Sequence, residues 1–406
     1  MKLADRIDLA PVIAPVPASP LVSATPYVCR DPRSLPPRSW IYGRQFLRGS
    51  LSVVLAPGAI GKTSLLVGTA LAIATGRALL GKTPWEGAQR VWLWNLEDNK
   101  EELSKLIEAV RLHYQIDEGE IGGRLFVDSA LEGAELCTAT EDNTGFRILE
   151  PVIDALVDEL VERKIDVLIV DPFVSSHRVS ENNNGAIDAV AKKWVRVAVR
   201  ANCAVCLVHH TPKLNGAEAT AEKSRGAVSL PNASRSVIAL NRMTAEEAST
   251  LQVTGEDRRR FFRAYDDKNN RAPPADASDW YQLLSVDLGN ATADRPSDHI
   301  GVVAQWTPPD LFTGVTVNHL LEVQGLVAEG NYRRSEQTDD WVGDAIGQVL
   351  NIDVGDRKSS EAKRVKRLID SWIANGALVV VREKDESRKE RPFVRVGTPA
   401  TDSASP

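Results

Sequence analysis

The sequence predicts an α/β fold, a mostly parallel sheet flanked by helices, followed by a smaller C-terminal unit. Two observations carry the first part. A strand-like run, 51–55, enters Ala56-Pro57-Gly58-Ala59-Ile60-Gly61-Lys62-Thr63, and a helix-like run beginning at Ser64 leaves it. That strand–loop–helix context is what a phosphate-binding loop requires. Beyond it, short apolar segments alternate with helical stretches, the pattern of a doubly covered sheet. A third observation is the change of pattern after residue 308, where three helices are followed by a hairpin.

Taken in order, residues 1–35 are rich in Pro, Ala and Ser (Pro11, Pro15, Pro17, Pro20, Pro26) and are expected to form a flexible arm. The α/β domain is expected over 36–300. Its strands are placed at 51–55, 90–95, 125–128, 167–171, 204–209 and 236–241, and its helices at 100–114, 145–163 and 186–201. Segments 260–266 and 280–287 read as antiparallel additions. A second domain is expected over 308–398, with helices near 315–329, 340–350 and 359–375. A hairpin follows (378–381 and 393–396) with a charged tip, the layout of a winged helix. Residues 399–406 read as a disordered tail.

The 406 residues are 43% hydrophobic and 26% charged, ordinary for a globular chain. A formal charge of −6 argues against wholesale coating of nucleic acid but leaves room for local basic patches. No apolar run approaches the ~18 residues that span a bilayer. Lys2, Asp5, Arg6 and Asp8 interrupt any signal-peptide pattern, so a cytoplasmic location is expected. The cysteines are Cys29, Cys137, Cys203 and Cys206. Cys203 and Cys206 lack a second pair or a histidine set at finger spacing, and read as core residues.

The phosphate loop has one departure, Ala56 in place of the first glycine, and Gly58 supplies a permissive position. The loop from Ala56 to Ser64 would cradle phosphates with its backbone N–H groups, which all but Pro57 possess, Lys62 would add charge, and the Thr63 hydroxyl would hold Mg²⁺. The apolar strand 167–170 ends in Asp171, which puts a carboxylate at the carboxyl edge of the sheet, beside Thr63 and its metal. Strand 91–95 ends before Glu97 and Asp98. Glu97 is the candidate base for an attacking water, with Asp98 second; the competing reading has the pair cap the next helix. Strand 204–209 runs into His209 and His210. Consecutive residues of an extended chain point to opposite sides, so one imidazole is expected at the phosphate and the other either packed or solvated.

Together these residues resemble the RepA-like hexameric helicases of phages and plasmids, within the RecA/DnaB-like ATPases. The resemblance rests on Pro37–Gly43, APGAIGKT, NLED, VLIVDP and VHHTPK, with Lys223–Ala227 and Asn232–Arg235, and it covers about 36–290. It implies a RecA-like core in which ATP sits between subunits of a ring, a homo-hexamer. Lys62 and Thr63 become the phosphate and Mg²⁺ residues, Glu97 the base, Asp171 the Walker B acid and His210 (or His209) the sensor. Arg235 becomes the finger reaching a neighbour's site, with Lys268 a looser second cation. DNA-gripping loops are implied at 175–185 and 213–226, with Arg178, Lys213, Lys223 and Arg225 as contacts. Independently, Lys363, Arg364 and Arg367 fall on exposed faces of the third C-terminal helix, the element that helix-turn-helix proteins offer to DNA.

The expected function is therefore an ATP- and Mg²⁺-dependent DNA helicase. The alternatives are a ring ATPase of recombination, repair or loading that does not unwind, or a nucleotide-switched DNA-binding regulator.

Overall fold

The computed structural model describes residues 24–211, 218–221, 229–251, 253–275, 277–385 and 388–400. Residues 24–38 belong to one unit and residues from 39 onward to a second. The described residues of the first unit contain one 3-10 turn, Pro32–Ser34, capped by Asp31. Residues 1–23 of the expected arm and 401–406 of the expected tail lie outside the described residues.

The second unit opens with a small β1 (Trp40–Tyr42)/β2 (Phe46–Leu47) ribbon. The parallel core follows as β3 (Ser50–Ala56), α1 (Lys62–Thr75), β4 (Val91–Asn95), α2 (Lys100–Tyr114), α3 (Glu118–Ile121) and β5 (Leu125–Ser129). A hairpin, β6 (Ala139–Asp142) and β7 (Gly145–Ile148), leads to α4 (Glu150–Glu162), β8 (Val167–Asp171), α5 (Asn184–Arg200) and β9 (Ala204–His210). Next come α6 (Ser229–Ala233), β10 (Ser236–Arg242), α7 (Ala245–Thr250), β11 (Phe261–Asn269), β12 (Asp279–Asp287) and β13 (His299–Gln305). One nine-stranded sheet runs in the order β13-β12-β11-β10-β3-β9-β8-β4-β5, parallel from β10 to β5 and antiparallel from β10 to β13.

Both faces of the parallel part are covered, which is why its strands are continuous apolar runs rather than alternating ones. Alternate residues feed separate cores: in β8, Val167 and Ile169 pack with α1 and α2, while Leu168 and Val170 pack with α4 and α5. Cys206 and Cys203 divide in the same way. Burial pushes the Cys203 thiol up to about 12 and that of Cys206 higher still, which keeps both as inert core residues. α1 is buried on nearly every side because β13 closes over it as well.

Two expectations need correction. The helix expected at 145–163 starts at Glu150, since Asp142-Asn143-Thr144-Gly145 makes a turn and 145–148 pairs as β7. Pro151 then sits in the first turn of α4, where its missing N–H costs nothing. The sheet also runs past residue 300, because β13 adds a third antiparallel strand.

C-terminal to the sheet, α8 (Val317–Glu329), α9 (Val342–Leu350) and α10 (Ser360–Ala374) surround their own core with β14 (Leu378–Lys384) and β15 (Glu390–Val396). Val365, Leu368, Ile369 and Trp372 form the buried face of α10, as their spacing predicts. Its basic residues take partners within the chain. Lys363 Nζ donates to Ser249 Oγ at 2.5 Å, and Arg367 donates to the Thr250 carbonyl at 3.0 Å. Arg364 donates to the carbonyls of Leu311 and Thr313. Among the described residues no helix is long and apolar enough to cross a membrane.

Candidate phosphate site

The loop between β3 and α1 turns on Gly61, whose φ of 93° is open to glycine but strained for other residues. A Cβ there would also come within 2.9 Å of Leu283 on β12, so two constraints fix this glycine. The loop's base is tied to β9, where the Thr211 N–H donates to the Ala56 carbonyl at 3.0 Å. Alanine is therefore accommodated at the end of a buried strand, and the missing first glycine leaves the loop intact.

At the carboxyl edge of the sheet the residues singled out in the sequence converge. Lys62, only 7% exposed, places Nζ 2.8 Å from Asp171 Oδ1 and 2.8 Å from His210 Nε2. An ammonium has no lone pair, so His210 Nε2 accepts and the imidazole proton sits on Nδ1. Thr63 Oγ1 donates to Asp171 Oδ2 at 3.2 Å. Glu97 Oε2 lies 3.7 Å from His210 Nε2 with its carboxylate half exposed. One cation, two carboxylates, a hydroxyl and an imidazole thus meet at the ends of four adjacent strands.

Asn95 decides which acid faces the site. Its buried Oδ1 accepts from the N–H groups of Glu97 (2.8 Å) and Asp98 (2.7 Å), folding the strand end into a tight turn. Its Nδ2 donates back to the Asp98 carboxylate, so Asp98 holds the turn while Glu97 projects toward His210. Neither acid caps α2; Asn99 does, accepting from the Glu102 N–H. Asn95 was not singled out in the sequence, although an Asn two residues before the candidate base is a turn signal.

The histidines separate as the strand geometry requires. His210 faces Lys62, whereas His209 is buried beside Phe173 and His177. Burial, aided by His210, His177 and Lys62, lowers the His209 imidazole to about 4.

Thr63 and Asp171 present adjacent oxygens, the hard donors that Mg²⁺ takes when phosphates complete its shell. They fit the ion, which when bound would neutralise phosphate charge.

A family model described as an AAA domain matches residues 23–216. No curated protein matches the chain. The matched stretch contains the phosphate loop, Glu97, Asp171 and His210, and the match supports a nucleotide-dependent ATPase.

Other expected residues lie elsewhere. Ser64 turns away from the loop and accepts from the Val303 N–H at 3.0 Å, fastening α1 to β13. We expect Ser64→Ala to destabilise the fold by about 1–3 kcal/mol, the cost of a buried unpaired N–H. Nucleotide affinity should change less than about twofold, as read by urea unfolding alongside nucleotide titration.

Arg235 is exposed at the amino edge of the sheet, with its N–H bonded to Leu51. Lys268 Nζ donates to the carbonyls of Pro231, Asn232 and Ser234, and so braces the turn that presents Arg235. Arg178 is exposed, 3.8 Å from Glu135, on a segment stitched to β6 by backbone bonds at Thr138, Ala139 and Glu141. That part of the 175–185 loop is consequently held in place rather than free. Lys213, Lys223 and Arg225 lie outside the described residues.

Proposed function

We propose that the chain is an ATP-driven DNA motor of the RepA-like helicase type, working as a homo-hexameric ring on single-stranded or forked DNA. The observation that carries the ring is the position of Arg235. It stands level with Leu51, five residues below Ala56 on a neighbouring parallel strand, and thus ~17 Å from its own phosphate loop at ~3.3 Å per residue. An exposed arginine that far from its own loop, on a turn braced by Lys268, supports the reading that it serves a site on another subunit.

In such a ring ATP·Mg²⁺ is held by the phosphate loop, Thr63 and Asp171. Glu97 takes the proton of the attacking water, and His210, bonded to Lys62, registers the state of the γ-phosphate. The neighbour's Arg235 offsets charge that develops in phosphoryl transfer. The three helices and hairpin over 308–398 are read as a winged helix. Because Lys363, Arg364 and Arg367 bond within the chain, DNA contact is assigned to the channel loops at 175–185 and 213–226 rather than to α10.

Strand displacement on forked DNA, run beside ATP hydrolysis with and without single-stranded DNA, tests this reading. The native protein should separate strands and be stimulated by single-stranded DNA. Arg235→Ala should lose about 10³-fold in hydrolysis while still binding nucleotide. Unchanged hydrolysis in that variant would remove the shared site. Hydrolysis without displacement would leave a ring ATPase that does not unwind.

A further inference from the structure

We propose that Arg242 is a positioning residue of the phosphate loop, acting within its own subunit by holding Ala59 in the left-handed conformation. The inference rests on the nucleotide-site reading above and adds a residue that neither motif nor resemblance supplies. β10 is parallel to β3 with Ala239 level with Leu55, so Arg242, three residues on, comes level with Gly58. Its guanidinium Nη2 donates to the Gly58 carbonyl at 3.3 Å and to the Ala59 carbonyl.

These two bonds fix more than the carbonyls. In a planar trans peptide the C=O of one residue and the N–H of the next point in opposite directions. Drawing the Gly58 and Ala59 carbonyls toward Arg242 therefore turns the N–H groups of Ala59 and Ile60 away from it. Those N–H groups belong to the set a phosphate cradle must present inward.

Ala59 also has a φ of 56°, a conformation that disfavours an alanine by about fivefold to thirtyfold in an equilibrium. Natural loops often place glycine at such positions. Here a charged donor on the adjacent strand offsets the cost instead. The other loop residue with positive φ is Gly61, which needs no such support.

The mechanism makes a specific demand: the need for Arg242 should vanish when residue 59 is glycine. The full chain would be titrated with a fluorescent (N-methylanthraniloyl) ATP analogue and Mg²⁺, and KM and kcat measured for ATP. Four proteins are compared: native, Arg242→Ala, Ala59→Gly and the double variant. Arg242→Ala should weaken binding and raise KM about tenfold with kcat changed less than about twofold, the signature of lost uniform binding. In the Ala59→Gly background the same replacement should shift both by less than about twofold. Equal weakening in both backgrounds would overturn the proposal, since Arg242 would then touch the ligand itself. No weakening in either background would overturn it too. If the native protein binds no nucleotide, the site reading falls first and the clamp falls with it.

Discussion

Lys62→Met should take ATP hydrolysis to the buffer background and also lower the melting temperature, and a second replacement should separate these effects. Lys62 is the countercharge of Asp171, a carboxylate only 1% exposed, at 2.8 Å. Removing one member of a buried ion pair leaves the other uncompensated, at a cost of about 3–5 kcal/mol. Asp171→Asn placed on top removes the stranded charge, so the double variant should regain most of the lost stability. Hydrolysis should stay absent in both, because no cation remains to meet the phosphates and the carboxylate beside Thr63 is also gone. Thermal melts of the three proteins beside phosphate-release assays check this. A single variant that melts with the native protein would show that the Lys62–Asp171 contact carries no stability. Recovered hydrolysis in the double variant would remove Lys62 from the chemistry.

Much of this site is legible in the sequence because its parts are local. A buried parallel strand reads as an unbroken apolar run, and its end must emerge at the carboxyl edge; 167–171 declares Asp171 in that way, and 204–209 brings the His209–His210 pair to the same edge without saying which of the two faces the phosphate. Strand alternation likewise separates His209 from His210 without any structural knowledge. What the sequence leaves dark depends on register and on contacts across long separations. Arg242 is an ordinary strand-end arginine until the pairing of β10 with β3 brings it beside Gly58. Ser64 reads as part of the cradle until β13 supplies an N–H that needs an acceptor. Periodicity correctly sorts the α10 residues into buried and exposed faces. It says nothing about α7 lying within reach of Lys363 and Arg367, so helical charge reads equally well as an invitation to DNA and as a seam inside the chain.

The second histidine, His209, is buried away from Lys62 and bears on stability. His209 and His177 are 3% and 5% exposed and face the Phe173 ring with centroids at 6.5 and 4.6 Å. Burial pushes both imidazoles down to about 4, and for His209 the charges of His210, His177 and Lys62 push the same way. An unfolded histidine titrates near ~6.5. Between those values the unfolded chain binds protons that the folded chain refuses, so acid favours unfolding there. Stability should be complete above pH ~6.5, fall as pH drops, and level off below about 4. The loss should be about 3 kcal/mol per imidazole, or about 6 kcal/mol for the pair. Carboxylates held below their ordinary values by hydrogen bonds, such as Glu141 and Asp287, act in a lower window, because their unfolded forms titrate near ~4. Among the described residues neither ring nitrogen of His209 has a hydrogen-bond partner, and Glu181 stands 3.8 Å away, so an apolar replacement forfeits no bond seen there. His209→Leu should therefore flatten the slope between pH 6.5 and 4 by about half while preserving stability at pH 7.5. Urea unfolding of both proteins at half-unit pH steps reads this directly. An unchanged slope would mean that His209 does not titrate with unfolding and that the acid sensitivity lies elsewhere.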